Sequence, residues 1–123
     1  ISWTWPVKGP IRQDFRDCDR TRQGVRIGVA EGTPVVAAAD GTVVYSGSGL
    51  KGYGNLIIVK HNASYLSAYG FNRELLAREG ERVKRGQRVA VAGRAANGEG
   101  LLHFEIRRNG VAVDPVRFLP PSR

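Results

Sequence analysis

Closely spaced turn signals constrain this chain more than any other feature of its sequence. Clusters that combine Gly with Pro, Asn, Asp or Lys recur about every ten residues, from Lys8-Gly9-Pro10 to Asn109-Gly110. The segments between these clusters are short and rich in Val, Ile and Tyr, which are typical of β-strands. The sequence therefore predicts an all-β fold built from strands of about five residues.

The strand predictions are specific enough to be compared with a structure. The expected strands cover residues 35–37, 42–45, 56–60, 65–69, 88–92 and 102–107. Asn109-Gly110 predicts a hairpin after the last of these strands, because both central residues of a type I′ turn need positive φ.

Helical character is confined to residues 72–78, where Asn72 could cap a turn or two. Trp3 and Trp5 precede the first turn at strand spacing and are expected to pack in the core. No linker or low-complexity segment divides the chain. We therefore expect residues 1–123 to form a single domain.

The charge balance points to acidic partners. Nineteen Lys and Arg residues stand against eleven Asp and Glu residues, which gives a net charge of +8. Candidate partners are nucleic acid, an anionic envelope polymer or an acidic protein surface. The sequence shows no recognition helix and no basic residues interleaved with aromatic ones, so we expect no nucleic-acid partner. Apolar runs fall far short of the ~20 residues of a membrane span, so we expect no membrane insertion by this domain.

Cysteine and histidine are too scarce for several kinds of site. Cys18 is the single cysteine, which excludes an internal disulfide and a Cys-rich zinc site. The two histidines, His61 and His103, are remote from Cys18 in sequence, so a catalytic Cys–His pair is not expected.

An ordered series of motifs runs over nearly the whole chain. The motifs are Trp5-Pro6-Val7, Gly24-Val25-Arg26-Ile27, residues 31–45, Gly52-Tyr53-Gly54-Asn55, Leu102-His103-Phe104-Glu105-Ile106 and residues 114–120. Together they resemble the LytM-type, lysostaphin-like zinc peptidase domain, and the resemblance is strongest to the degenerate NlpD/EnvC branch. The resemblance implies antiparallel sheets with short helical turns.

This chain departs from the family pattern at the positions that carry catalysis. Active members bind zinc through a His-x-x-x-Asp motif and the last His of a His-x-His motif, assisted by two further His. The His-x-x-x-Asp positions fall on Arg22 and Arg26, and the His-x-His positions on Leu101 and His103. Phe71 takes the place of the His of a Tyr-x-His motif.

A zinc ion would be opposed at these positions. Arg22 and Arg26 are permanent cations, and at ~4 Å in an effective dielectric near 20 each opposes a unit charge by roughly 4 kcal/mol. We therefore expect no catalytic residues, no metal and no cofactor. Other interpretations stay open: His103 could be a buried residue bonded to a neighbour, and the arginines could pair with Asp14, Asp17 or Asp19 at the surface.

The resemblance implies a partner-binding groove in place of the catalytic one. Members of this branch activate N-acetylmuramoyl-L-alanine amidases during daughter-cell separation, and Arg and Tyr are typical interface anchors. We expect a periplasmic domain that forms the C-terminal part of a longer, envelope-anchored protein. A passive peptidoglycan-binding module and an active zinc endopeptidase are the alternatives. The predicted groove residues are Arg22, Arg26, Tyr45, Tyr53, Tyr69, Phe71, Leu101 and His103.

Overall fold

Antiparallel β-structure accounts for nearly all regular structure in the computed structural model, which describes residues 1–121. A short 3-10 turn at Pro115–Arg117 follows the last strand. The described residues contain no helix long and apolar enough to cross a bilayer. The strands are β1 (Ile11–Gln13), β2 (Val25–Gly28), β3 (Pro34–Val36), β4 (Gly41–Gly47), β5 (Asn55–Lys60), β6 (Tyr65–Leu75), β7 (Arg82–Val83), β8 (Arg88–Arg94), β9 (Gly100–Arg108) and β10 (Val111–Val113).

Strand β9 is the centre of the sheet. The order along the sheet is β1-β2-β9-β8-β6-β5-β4-β7, with β10 added to β9 and β3 added to β8. Strand β9 also pairs with β6 over Tyr65 to Gly70. Residues on β9 therefore contact segments that are far apart in sequence.

Alternation along β9 explains how the strand is covered on both faces. Leu102, Phe104 and Ile106 are fully buried in the main hydrophobic cluster. Each such side chain contributes about 1.5–3 kcal/mol by its burial. His103 and Glu105 alternate with them and are also buried, on the face that carries polar contacts.

Most of the strand predictions are confirmed. Each predicted segment lies mainly or wholly within one of β3, β4, β5, β6, β8 and β9. Asn109 and Gly110 have φ values of 52° and 80°, and they join β9 to β10 as predicted. Trp5 is in the core and Trp3 packs against it.

The helical prediction for residues 72–78 is wrong. Strand β6 continues to Leu75, and residue 72 pairs with Asn55 on one side and Ala92 on the other. The Asn72 side chain donates hydrogen bonds to the carbonyl oxygens of Asn55 and Tyr69, at 3.0 and 2.8 Å. Sheet pairing therefore satisfies this segment and outweighs its weak local preference for helix.

Candidate functional site

Strand pairing brings three of the predicted site residues together. Arg26 on β2 lies opposite His103 on β9, and Gly70 on β6 lies opposite the same histidine. Phe71 follows Gly70, and its ring centroid is 5.1 Å from Arg26 Cζ and 6.1 Å from the His103 ring. The Phe71 ring therefore contacts both neighbours, one through a cation–π arrangement.

A cavity of about 650 Å³ opens beside this cluster. We refer to it, with the adjoining His103, as the Arg26–Phe71 groove. Two glycines with positive φ, Gly52 and Gly54, form one part of its wall, and alanines form another. The lining residues are Arg26, Gly52, Gly54, Phe71, Arg94, Ala95, Ala96 and Asn97.

Phe71 has an unusual backbone conformation for a bulky residue. Its φ is 63°, in the left-handed region that costs an L-residue about 1–2 kcal/mol. Its N–H donates to the carbonyl oxygen of Tyr53 at 2.8 Å, which fixes the turn of the chain at this point. Strain of this kind persists where surrounding contacts hold the residue, and it is concentrated at functional sites.

A buried polar network supports His103 from below. Glu105 Oε2 lies 2.7 Å from His103 Nε2 and accepts from the Tyr53 hydroxyl at 2.9 Å. Glu105 Oε1 accepts from Arg107 Nε at 2.8 Å. Because an ionised carboxylate only accepts, the His103 proton is placed on Nε2. Nδ1 of His103 is then directed away from the network, and it has no partner among the described residues.

The network changes the ionisation of its members. Burial by itself raises the pKa of Glu105, but the hydrogen bond and charge of His103, followed by those of Arg107, outweigh burial and lower this pKa below its ordinary value. Burial, followed by the charge of Glu105, raises the pKa of Tyr53. Glu105 is therefore an anion that holds the Tyr53 and His103 side chains in place.

The arginines near the site differ in their ion pairing. Arg22 contacts Asp14 through both Nε and Nη2, as one of the surface interpretations from sequence anticipates. Arg94 Nε donates to Glu31 at 2.8 Å. Arg26 has no ion pair within residues 1–121, and its Nε is buried without a partner. Arg26 is therefore the cation whose charge remains uncompensated at the groove.

Three predicted groove residues lie elsewhere. Tyr69 is fully buried, and its hydroxyl accepts from Ala38 N at 2.9 Å and bonds Ser67 at 2.6 Å. Burial raises the pKa of Tyr69 to about 12. Leu101 is only 2% exposed, so it packs inside the protein instead of forming an exposed apolar pad. The Tyr45 hydroxyl accepts from Gly49 N on β4's own loop, away from the groove.

Sequence reasoning assigned no role to Glu105, Arg107 and Arg94. Glu105 and Arg107 follow His103 at a spacing of two residues, which places all three on one face of a strand. The sequence itself shows this spacing, so it could have indicated that the three side chains lie together. Arg94 reaches the groove because it pairs with Gly100 across β8 and β9, and only the sheet order shows this proximity.

Comparison with known proteins shows the family of the chain. The model of peptidase family M23 matches residues 20–115. The chain belongs to peptidase family M23. The catalytic domain of lysostaphin from Staphylococcus simulans, a solved M23-like structure, superposes with a TM-score of 0.76 at 26% identity, over 91% of each chain.

Two sequence relatives narrow the position of the chain within M23. The chain is 51% identical over 118 residues to a Pseudomonas aeruginosa protein named lipoprotein NlpD/LppB homolog, covering 96% of this chain and 40% of that protein. It is 45% identical over 119 residues to the murein hydrolase activator NlpD of Escherichia coli K12, covering 97% of this chain and 31% of that protein. The chain thus spans well under half the length of these relatives.

The residues at the Arg26–Phe71 groove do not fit a zinc ion. Within residues 1–121, no group of three or more His, Cys, Asp or Glu side chains could hold a metal. Nε2 of His103 is engaged by Glu105, and the Arg26 guanidinium lies across the strand pair from the same histidine. A divalent ion needs several anionic or neutral donors, and here it would meet a fixed positive charge.

Proposed function

We propose that this chain is a non-catalytic activator of a peptidoglycan amidase. In this proposal it binds a periplasmic N-acetylmuramoyl-L-alanine amidase through the Arg26–Phe71 groove and promotes peptidoglycan hydrolysis during daughter-cell separation. The amidase performs the hydrolysis, and this chain contributes binding energy that favours the active conformation of the enzyme.

The strained placement of Phe71 carries the proposal. A phenyl ring at φ 63° lies between a cation and a histidine, beside an open cavity. In a peptidase this position would require a polar group that transfers protons. An apolar ring held there at a cost in backbone energy instead provides a desolvated contact for a partner, which is typical of an interface anchor.

The names of the relatives support the same function. Relatives that are 51% and 45% identical to this chain over the 118 and 119 aligned residues are named lipoprotein NlpD/LppB homolog and murein hydrolase activator NlpD. The side chains at the groove do not supply the ligands that zinc needs. This agrees with a chain that activates a hydrolase and does not itself hydrolyse peptidoglycan. The same likeness supports the proposal of a periplasmic location, with the chain as part of a longer envelope-anchored protein.

The structure leads us to assign different roles to the predicted groove residues. Arg26 and Phe71 form the proposed contact surface. The buried His103 contacts the Phe71 ring, and Tyr53 holds His103 through Glu105. Arg22 is proposed at the rim, where it would need to leave Asp14 to meet a partner. The remaining members act as internal support for the groove or lie away from it. They are Tyr45, Tyr69 and Leu101.

Binding experiments separate this proposal from the passive peptidoglycan-binding alternative. The purified chain is offered to each purified amidase of the source organism, and separately to purified sacculi in a sedimentation assay. The proposal predicts retention of an amidase, with Phe71→Ala reducing retention and Val111→Ala, an exposed apolar control on β10, leaving it unchanged. Sedimentation with sacculi without retention of any amidase would contradict it.

A metal assay addresses the zinc endopeptidase alternative. The proposal predicts less than about 0.1 equivalent of zinc in the purified chain after dialysis against micromolar zinc, because structural and catalytic sites need three or four good donors. Stoichiometric zinc together with chelator-sensitive cleavage of a cross-bridge peptide would contradict a non-catalytic role.

A further inference from the structure

The Arg26 guanidinium is a partly buried cation whose charge nothing in the described chain balances. Arg22, Arg94 and Arg107 each form an ion pair, with Asp14, Glu31 and Glu105 respectively. Arg26 forms none within residues 1–121, and its Nε is buried and unbonded. A buried donor without a partner is unfavourable, and a half-buried guanidinium that no acidic side chain balances attracts an anion more strongly than an exposed, ion-paired arginine does.

The surroundings of Arg26 favour a carboxylate over other anions. The guanidinium lies against the Phe71 ring, 5.1 Å from its centroid, which restricts its orientation. A planar fork of N–H donors held in this way matches the two oxygens of a carboxylate. Arg94, which is paired with Glu31, lines the same cavity, and Asn97 adds an amide.

The remaining walls favour a protein segment as the source of that carboxylate. Phe71, Ala95 and Ala96 present apolar surface next to the two arginines. An acidic side chain with an apolar neighbour, as on an amphipathic helix or extended segment, complements both parts of the surface at once. Charge complementarity and apolar contact therefore point to the same kind of occupant.

We propose that the Arg26–Phe71 groove is a carboxylate-binding site that receives an Asp or Glu side chain of the activated amidase. Arg26 binds the carboxylate through its guanidinium, and Phe71 contacts the apolar neighbour of the acidic residue. This assignment rests on the proposed activator function, and it names the chemistry by which the groove selects its partner.

Activation titrations test the assignment in the functional setting. The full chain and its variants are titrated against a fixed amount of amidase acting on dye-labelled sacculi, and the half-maximal concentration is measured. Arg26→Gln is expected to raise this concentration about tenfold or more, the size of a lost charge-assisted bidentate contact. Arg26→Lys is expected to restore only part of the loss, because an ammonium cannot form the fork. Arg117→Gln removes the same charge outside the groove and is expected to change the concentration less than about twofold.

A small-molecule titration tests the chemistry without an amidase. The backbone amide resonance of Phe71 is followed during addition of N-acetylglutamate amide and, in parallel, of N-acetylglutamine amide. The expected result is a saturable shift with the carboxylate and none with the amide, and loss of the shift in Arg26→Gln. Equal shifts with both probes would overturn the carboxylate site.

The two experiments also distinguish failure of this inference from failure of the proposed function. If the wild-type chain activates an amidase and Arg26→Gln activates it equally well, the inference is wrong and the activator function stands. If the chain activates no amidase while the Arg26-dependent shift persists, the activator function and the protein occupant are both wrong. Loss of sacculus sedimentation in Arg26→Gln with unchanged activation would assign the site to peptidoglycan and overturn the protein segment.

Discussion

Replacing Phe71 with alanine and with glycine separates the strain at this residue from the contact made by its ring. Both variants lose the ring, so both lose its contacts with Arg26 and His103. Only glycine adopts φ 63° without steric cost. The difference between the two variants therefore reports the cost of the left-handed backbone, offset by the greater unfolded-state entropy of glycine.

The expected difference in free energy of unfolding has two opposing contributions. In the left-handed region, alanine destabilises the folded state by about 1–2 kcal/mol relative to glycine. Glycine in turn stabilises the unfolded state by about 0.4–1 kcal/mol, because its unfolded backbone has more conformational entropy than that of alanine. Phe71→Gly is therefore expected to have a free energy of unfolding about 0.5–1 kcal/mol higher than Phe71→Ala. For a chain of this length the difference corresponds to a Tm about 2–4 °C higher.

Thermal melts by circular dichroism measure this difference, and Arg73 provides a matched control. Arg73 is exposed on β6 and has no positive φ, so Arg73→Gly is expected to be about 0.5–1 kcal/mol less stable than Arg73→Ala. The two pairs should thus differ in sign. A Phe71→Ala variant as stable as Phe71→Gly, or more so, would refute the strain that we attribute to this position.

Amidase activation by the same variants separates stability from function. Both Phe71 variants are expected to weaken activation to a similar extent, about thirty-fold or more for a central anchor worth ~2 kcal/mol, although one is more stable than the other. If both activate like the wild type, the Phe71 ring is not part of the interface.

The remaining predictions concern pH, packing and salt. Burial lowers the pKa of His61 from its ordinary value near 6.5, so at pH values between the lowered pKa and 6.5 the unfolded chain binds more protons than the folded chain. The free energy of unfolding should therefore fall as pH drops from about 6.5 toward the lowered pKa. In a pH series of urea melts, His61→Gln should flatten this part of the curve. In the same melts, Leu101→Ala should lower the free energy of unfolding by about 2–5 kcal/mol, because the Leu101 side chain is only 2% exposed. Leu50→Ala, at 43% exposure, should lower it by less than about 1 kcal/mol. Equal losses would contradict the buried position of Leu101. Amidase affinity should decrease with salt, since exposed charges are screened over ~10 Å at 0.1 M, and Arg26→Glu should lose more affinity than Arg117→Glu; equal losses would indicate a diffuse charge effect.

The sequence predicts the fold well because its signals are local and repeated. Turn residues and short β-prone runs determine where strands begin and end, and the Asn109-Gly110 turn has the positive φ values its residue types favour. Residues 72–75 show the limit of such reasoning. Their side chains are compatible with a helix, but pairing with β5 and β8 decides the structure, and those partners are distant in sequence.

The sequence predicts only part of the candidate groove, because the burial of each residue depends on the order of the strands in the sheet. Motif positions identified Arg26, Phe71 and His103, which the structure brings together. The same motif positions do not reveal that Leu101 and Tyr69 are covered on every side by other strands. They also do not reveal that Arg22 has an acidic partner while Arg26 has none among residues 1–121, since that depends on how the loop before β2 folds.

Dye release from labelled sacculi tests the central claim most directly. The three conditions are this chain alone, an amidase alone, and both together, each at the same zinc concentration. The account predicts no release by the chain alone, slow release by the amidase, and release at least about tenfold faster when both are present. Release by the chain alone, or a rate with both components equal to that of the amidase alone, would contradict a non-catalytic activator.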